Sequence, residues 1–185
     1  MNIFPSIILL SWIVFWIYWM MSAVGVKKIV RRTTGVWRAV IIPIIAVLIF
    51  WTLRSGYHPT RIVPQTVAFG VIGDILCVAG IAFAIWARRH LGRNWSSQPS
   101  VQEGHELVTS GPYHFVRHPI YTGMAFALIG SAFAVGDLSW LVFYLALIIM
   151  FTCRIHVEEK FMTETFPDQY PEYKKRTKML IPFIW

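Results

Sequence analysis

Residues 104–123 read G-H-E-L-V-T-S-G-P-Y-H-F-V-R-H-P-I-Y-T-G, with three histidines, an arginine, two tyrosines and two prolines. One apolar run ends shortly before this stretch, at residue 86, and another begins inside it, at residue 119. In a bilayer every polar group must be paired or solvated. Polar side chains gathered beside an apolar span therefore point to a site rather than to simple anchoring. The stretch implies a membrane protein that carries chemistry at its surface.

Composition agrees. Of 185 residues 56% are hydrophobic and only 14% charged, against roughly 25% charged in soluble domains. Aromatic residues make up 16%, nine of them tryptophan, and such rings favour the water–hydrocarbon boundary. The formal charge is +8. The basic residues fall between apolar runs, where topology and anionic lipid account for them, so nucleic acid is not expected as a partner. Cys77 and Cys153 both lie in apolar runs and read as packing residues.

Five apolar segments follow from the hydropathy pattern: 3–24, 36–53, 64–86, 119–135 and 138–153. The first three suit a hydrocarbon core of roughly 30 Å at about 1.5 Å per residue. The last two are short and joined only by Gly136-Asp137, so they read either as thin spans or as a hairpin. The expected fold is all-α and polytopic, with about five transmembrane helices in one domain, 1–185. Fifteen of the seventeen lysines and arginines fall on one side of this topology, leaving Arg54 and Arg61 opposite. The positive-inside rule then places the N-terminus outside the cytoplasm. Segments 87–118 and 154–185 share the cytosolic face. The first segment reads as a retained span rather than a cleaved leader, since no basic n-region precedes it. Small residues four apart, Gly80/Ala84 and Gly123/Ala127, permit close helix contact.

Several clusters can carry chemistry. Arg117-His118-Pro119-Ile120-Tyr121-Thr122-Gly123 straddles a helix start, where proline is accommodated and N–H groups are left over. It reads equally as a ligand-binding turn and as an interfacial anchor. Arg154 and Glu158 stand i, i+4 and share a face if the helix continues. Asp74, inside the third segment, calls for a partner, and a hydrogen bond to another helix is the simplest one. The tail around Phe166, Tyr170 and Tyr173 can pack as a cap over a site. His114 and His118 have a metal-ligand spacing, but Gly111-Pro112 and Pro119 bracket them and no glutamate or cysteine accompanies them. No metal site is expected.

Leu107-Val-Thr-Ser-Gly-Pro-Tyr113, Arg117-His-Pro-Ile-Tyr121-Thr-Gly123, Arg154 with Glu158-Glu159, Tyr170-Pro-Glu-Tyr173-Lys-Lys-Arg176 and Ile181-Pro182-Phe183 occur in that order. In order and spacing they resemble the isoprenylcysteine carboxyl methyltransferase family, in its short prokaryotic form. The resemblance covers roughly residues 94–183. It implies an O-methyltransferase dependent on S-adenosyl-L-methionine, with the cofactor pocket in the cytosolic half, 87–185, behind three N-terminal spans in 1–86. Carried over by position, Gln98, His105, Glu106, Leu107, Val108, Tyr113, His118, Pro119, Ile120, Tyr121 and Glu158 would contact the cofactor. Arg154 would hold the substrate and, with Glu158, form the catalytic pair. The implied substrate is the carboxylate of an isoprenyl-cysteine or a related lipidic molecule. The implied partners are that substrate and the bilayer, without an obligate protein partner. The alternatives are a thiol, amine or isoprenoid acceptor, or an NADPH-dependent membrane reductase with a similar C-terminal half.

Overall fold

The computed structural model describes residues 3–24, 27, 29–32, 64, 66–96, 100–104, 106–136 and 138–182. Five α-helices make up most of it: α1 (Phe4–Ser22), α2 (Val67–Leu91), α3 (Pro119–Val135), α4 (Leu138–Thr165) and α5 (Gln169–Arg176). The apolar segment expected at 36–53 lies outside the described residues. Among those described, α1 and the stretch Val67–Asn94 are long and apolar enough to cross a membrane, and α3 is a shorter apolar helix.

Each boundary has a local cause. Thr66 opens α2, its hydroxyl accepting from the Phe69 N–H at 3.4 Å, which satisfies one of the orphan donors of a first turn. Pro119 opens α3 where its missing N–H costs nothing. Gly136 closes α3 in the left-handed region, with φ 72°. Gly136 thus marks the end of the fourth segment where expected. The fifth segment, however, does not stop at 153. Nothing in 154–165 breaks a helix, and α4 runs unbroken for 28 residues. At about 1.5 Å per residue it carries its polar C-terminal half well clear of its apolar half.

The helices α2 and α3 form an antiparallel pair in intimate contact. A Cβ on Gly80 would lie 2.5 Å from both Ala127 N and Gly123 O, and one on Gly123 would lie 2.5 Å from Gly80 O. Two turns along, a Cβ on Gly73 would lie 2.6 Å from Ala134 N and Gly130 O. The small residues singled out at four-residue spacing are thus the ones that let the two backbones touch. The helix α1 lies against this pair through Ile8 and Phe15 and is pinned to α3 by Trp12 Nε1, which donates to Ser131 Oγ at 3.0 Å. Its remaining surface faces outward and is apolar. Leu9, Leu10, Met20 and Met21 are each more than 60% exposed, a surface suited to lipid rather than water.

Two features depart from the sequence reading. A short antiparallel ribbon joins β1 (Ile29–Arg32) to β2 (Ser100–Gln102), with Ile29 opposite Gln102 and Arg32 opposite Ser100. It ties the connection after α1 to the polar stretch after α2. Asp74 is buried at 8% exposure, yet neither carboxylate oxygen has a hydrogen-bond partner among the described residues. The helix-to-helix bond expected for it is not made by them. Cys77 is buried beside Ser131 and Cys153 is exposed.

Candidate active site

The N-terminus of α3 and the polar half of α4 meet. The Tyr121 hydroxyl donates to Glu158 Oε1 at 2.9 Å, and Arg154 Nε donates to the same oxygen at 3.0 Å. The i, i+4 pair on α4 therefore shares a face, and α3 reaches it from the side. The Arg154 guanidinium also stands 5.9 Å from the centre of the Tyr121 ring. His118, 9% exposed, places Nδ1 3.8 Å from Glu158 Oε2 and Nε2 3.4 Å from Glu159 Oε1.

Adjacent residues on a helix point about 100° apart, and Glu158 and Glu159 divide their tasks accordingly. Glu159 turns away from Tyr121. Its Oε1 accepts from Arg117 Nε at 2.7 Å and its Oε2 from Lys174 Nζ on α5 at 2.6 Å. Burial alone would raise the Glu159 carboxyl. The bonds to His118, Lys174 and Arg117 outweigh that and hold it well below its ordinary value of 4.5. A depressed folded-state pKa contributes stability that is fully present above about 4.5 and is lost as pH falls through the folded value. The C-terminal segment should therefore loosen progressively below pH 4.5. Cleavage of that segment by pepsin, a protease active in acid, should rise in the native protein as pH is lowered. Glu159→Gln should be cleaved readily at every acidic pH.

The tail is woven into the start of α3. The N–H groups of Arg117 and His118 donate to the carbonyls of Lys178 and Met179 at 2.9 and 3.1 Å, and Thr122 Oγ1 donates to Leu180 O at 2.7 Å. The Arg117 guanidinium reaches back to the carbonyl of Thr177. Two of the amide groups near the start of α3 that seemed available to a ligand thus belong to the tail. Tyr173 donates its hydroxyl to Tyr113 O at 2.6 Å. Burial pushes the Tyr173 phenol up to about 12, so it remains a donor at neutral pH. Burial, and then the Glu158 charge, likewise raise the Tyr113 phenol.

These elements surround a cavity of about 330 Å³. Its polar lining is Glu106, Tyr113, His118, Tyr121, Arg154 and Glu158. Leu107, Val108 and Ile120 line it as well. Tyr170 and Tyr173 of α5, 2% and 4% exposed, line it too, while Phe166, also expected in the cap, does not. Nine of the residues carried over by position (Glu106, Leu107, Val108, Tyr113, His118, Ile120, Tyr121, Arg154 and Glu158) therefore line one space. Pro119 is fully buried at the start of α3 and does not face the cavity. Gln98 and His105 lie outside the described residues.

The rest of the lining is apolar, and its residues were not singled out from the sequence. Phe15, Trp16 and Trp19 come from α1, Met124 from α3, and Met150 and Phe151 from α4. Phe15 stacks on Trp19 at 4.9 Å, and Trp19 meets Trp95 edge-on at 5.5 Å. The signal was present: Trp12, Phe15, Trp16 and Trp19 follow the i, i+3, i+4, i+7 rhythm of one helical stripe. In an all-apolar helix that rhythm has no polar contrast to reveal it.

Residues 73–164 match the isoprenylcysteine carboxyl methyltransferase family. The match holds the glycine contacts of α2 and α3, the His118–Tyr121 turn and the Arg154–Glu158 pair together. The chain belongs to this family. Among members named as enzymes, the protein-S-isoprenylcysteine O-methyltransferase of Saccharomyces cerevisiae is 34% identical over 62% of this chain and 49% of its own length. The solved structure of a eukaryotic intramembrane Ras methyltransferase of the isoprenylcysteine carboxyl methyltransferase family superposes with a TM-score of 0.57. It is 25% identical over 82% of this chain and 54% of that one. A cobalt-zinc-cadmium resistance protein of Cupriavidus metallidurans is 29% identical over 82% of this chain and 64% of its own length. The chain thus spans about half to two thirds of the length of these relatives.

Proposed function

We propose that this family member is an integral membrane methyltransferase that uses S-adenosyl-L-methionine to methylate the carboxylate of an isoprenyl-cysteine or a similar lipidic acid. The observation that carries the reading is the Tyr121–Glu158–Arg154 cluster in a cavity whose remaining lining is largely aromatic and aliphatic. The membrane topology we propose has about five spans in a single domain, with the cavity on the cytosolic side. The gathering of basic residues on that side supports it.

The donor set fits the cofactor. A carboxylate and aromatic faces suit a cationic sulfonium. The buried Tyr113 and the 106–108 segment offer polar and backbone groups for the rest, together with His118 and Ile120. Bound there, the cofactor would supply a methyl group on positively charged sulfur, which passes to a nucleophilic oxygen as the carbon–sulfur bond breaks and an ester bond forms. The chain's own residues then have three tasks. Glu158 compensates cationic charge and is itself aligned by Tyr121. Arg154 orients the acceptor carboxylate by a charge-assisted bond. Tyr170, Tyr173 and the α1 aromatics exclude water and receive the lipid portion, worth about 0.8 kcal/mol per buried CH₂. An α-carboxylate is ionised at neutral pH, with a pKa of about 3.5, so no general base is needed. Positioning can supply much of the rate.

The decisive experiment combines calorimetry with labelled-methyl transfer to a farnesyl-cysteine analogue in detergent or nanodiscs. Binding of S-adenosyl-L-methionine, and product label that mild alkali releases as volatile methanol, are expected. Absence of both would end the reading. Alkali-stable label would move the acceptor to a thiol or amine, and a thiol would also show a rate rising towards pH 8. Stabilisation by NADPH alone would favour the reductase alternative. Arg154→Ala should lower kcat by about 100-fold or more while raising the cofactor Kd by less than tenfold, because the arginine acts on the acceptor.

A further inference from the structure

The ends of α1 and α2 enclose a second cavity, of about 290 Å³, lined by Tyr18, Ser22, Arg88, Arg89 and Arg93. The stack of Arg88 on Trp95, 4.2 Å from guanidinium carbon to ring centre, stands between it and the first cavity. No aspartate or glutamate lines it among the described residues. Arg88 is 3% exposed. Two of its nitrogens donate to the carbonyls of Gly92 and Ser22, while its Nε has no hydrogen-bond partner among the described residues. A buried donor left without an acceptor is costly, and three arginines in one recess add strong positive potential.

The surface of α1 beside the cavity is apolar and outward. Val14, Ile17 and Met21 are 50%, 56% and 72% exposed. They form a helical stripe with Tyr18 that leads into the cavity at Ser22. A negatively charged head and an apolar tail are thus accommodated end to end, at the depth where an apolar helix meets the membrane surface.

We propose that this recess binds the phosphate of an anionic phospholipid, whose acyl chains lie along α1. Arginine binds phosphate by forked, charge-assisted contacts, and basic recesses between membrane helices favour such headgroups. The inference does not depend on the methyl-transfer reading.

Native mass spectrometry of the purified full chain, titrated with phosphatidylglycerol or phosphatidylcholine, tests it. Phosphatidylglycerol should be retained preferentially. Arg89→Gln alone should weaken its retention roughly fivefold, and Arg89→Gln with Arg93→Gln about 30-fold, at about fivefold per arginine. Lys175→Gln with Arg176→Gln removes two exposed basic residues from α5 and should leave retention unchanged. Equal retention of both lipids would overturn the proposal, as would an equal loss in the α5 variant, which would indicate diffuse surface charge. Displacement of the lipid by low-millimolar inorganic phosphate would overturn the lipid assignment in favour of a soluble phosphate ligand.

Discussion

Glu158→Gln should weaken binding of S-adenosyl-L-methionine by roughly 30- to 100-fold while leaving the fold intact. The substitution is nearly isosteric, and the Tyr121 hydroxyl, 2.9 Å from Oε1, still finds an acceptor. What disappears is the negative charge. Arg154, 17% exposed and bonded to that oxygen at 3.0 Å, loses this counter-charge, and a cationic ligand meets a less favourable field. Removing one partner of a buried pair costs about 3–5 kcal/mol. Partial exposure of Glu158, at 23%, lowers the expectation to about 2–3 kcal/mol, equivalent to the stated loss of affinity. Calorimetry at fixed pH reads it directly. An unchanged Kd in a folded variant would mean that Glu158 serves only to hold Arg154, and the assignment of the cavity to a cationic cofactor would fail. Phenylalanine at Tyr121 offers a graded comparison, since it removes one bond to Glu158 and keeps the charge.

Gly80→Val should do more damage than any substitution in the pocket. A Cβ at Gly80 would already meet Ala127 N and Gly123 O at 2.5 Å, and both are backbone atoms. No rotamer change relieves that contact, so the helices must separate. Separation also breaks the neighbouring contact of Gly123 with Ala84. The loss should exceed about 3 kcal/mol and appear as a large fall in melting temperature or as failure to accumulate in the membrane. Gly92→Ala is the control. Nothing lies within 4 Å of a Cβ there, and only the backbone, at φ 56° and ψ −128°, opposes the substitution, at about 1–3 kcal/mol. Similar melting temperatures for both variants would show that the close approach of α2 and α3 is not what holds the pair together.

Much of this arrangement was legible in the sequence because it rests on local chemistry. The boundaries of α3 could be read from Pro119 and Gly136, and the α2–α3 contact from the spacing of Gly80, Ala84, Gly123 and Ala127. The sharing of one face by Arg154 and Glu158 follows from helical geometry once the helix is known to continue. That it continues to Thr165 was less evident, because hydropathy marks where the apolar face ends and not where the helix does. The aromatic wall from α1 was hidden for a related reason. In a helix that is apolar all round, residues facing a cavity and residues facing lipid look alike. The β1–β2 ribbon is a pairing across some 70 residues between segments of only four and three residues, too short for any alternation to register. The sequence suggested a hydrogen bond from Asp74 to another helix, and a buried carboxylate with no hydrogen-bond partner among the described residues shows how little one residue type says about its neighbours.

The tail's attachment has a bearing on biosynthesis. Arg117 and His118 leave the ribosome some 60 residues ahead of Lys178 and Met179, whose carbonyls they eventually engage. Until then the start of α3 lacks the carbonyl partners that the tail supplies. Insertion of the earlier helices must succeed on their own mutual affinity, and the bonds of the tail to Arg117, His118 and Thr122 form only after translation has passed Leu180.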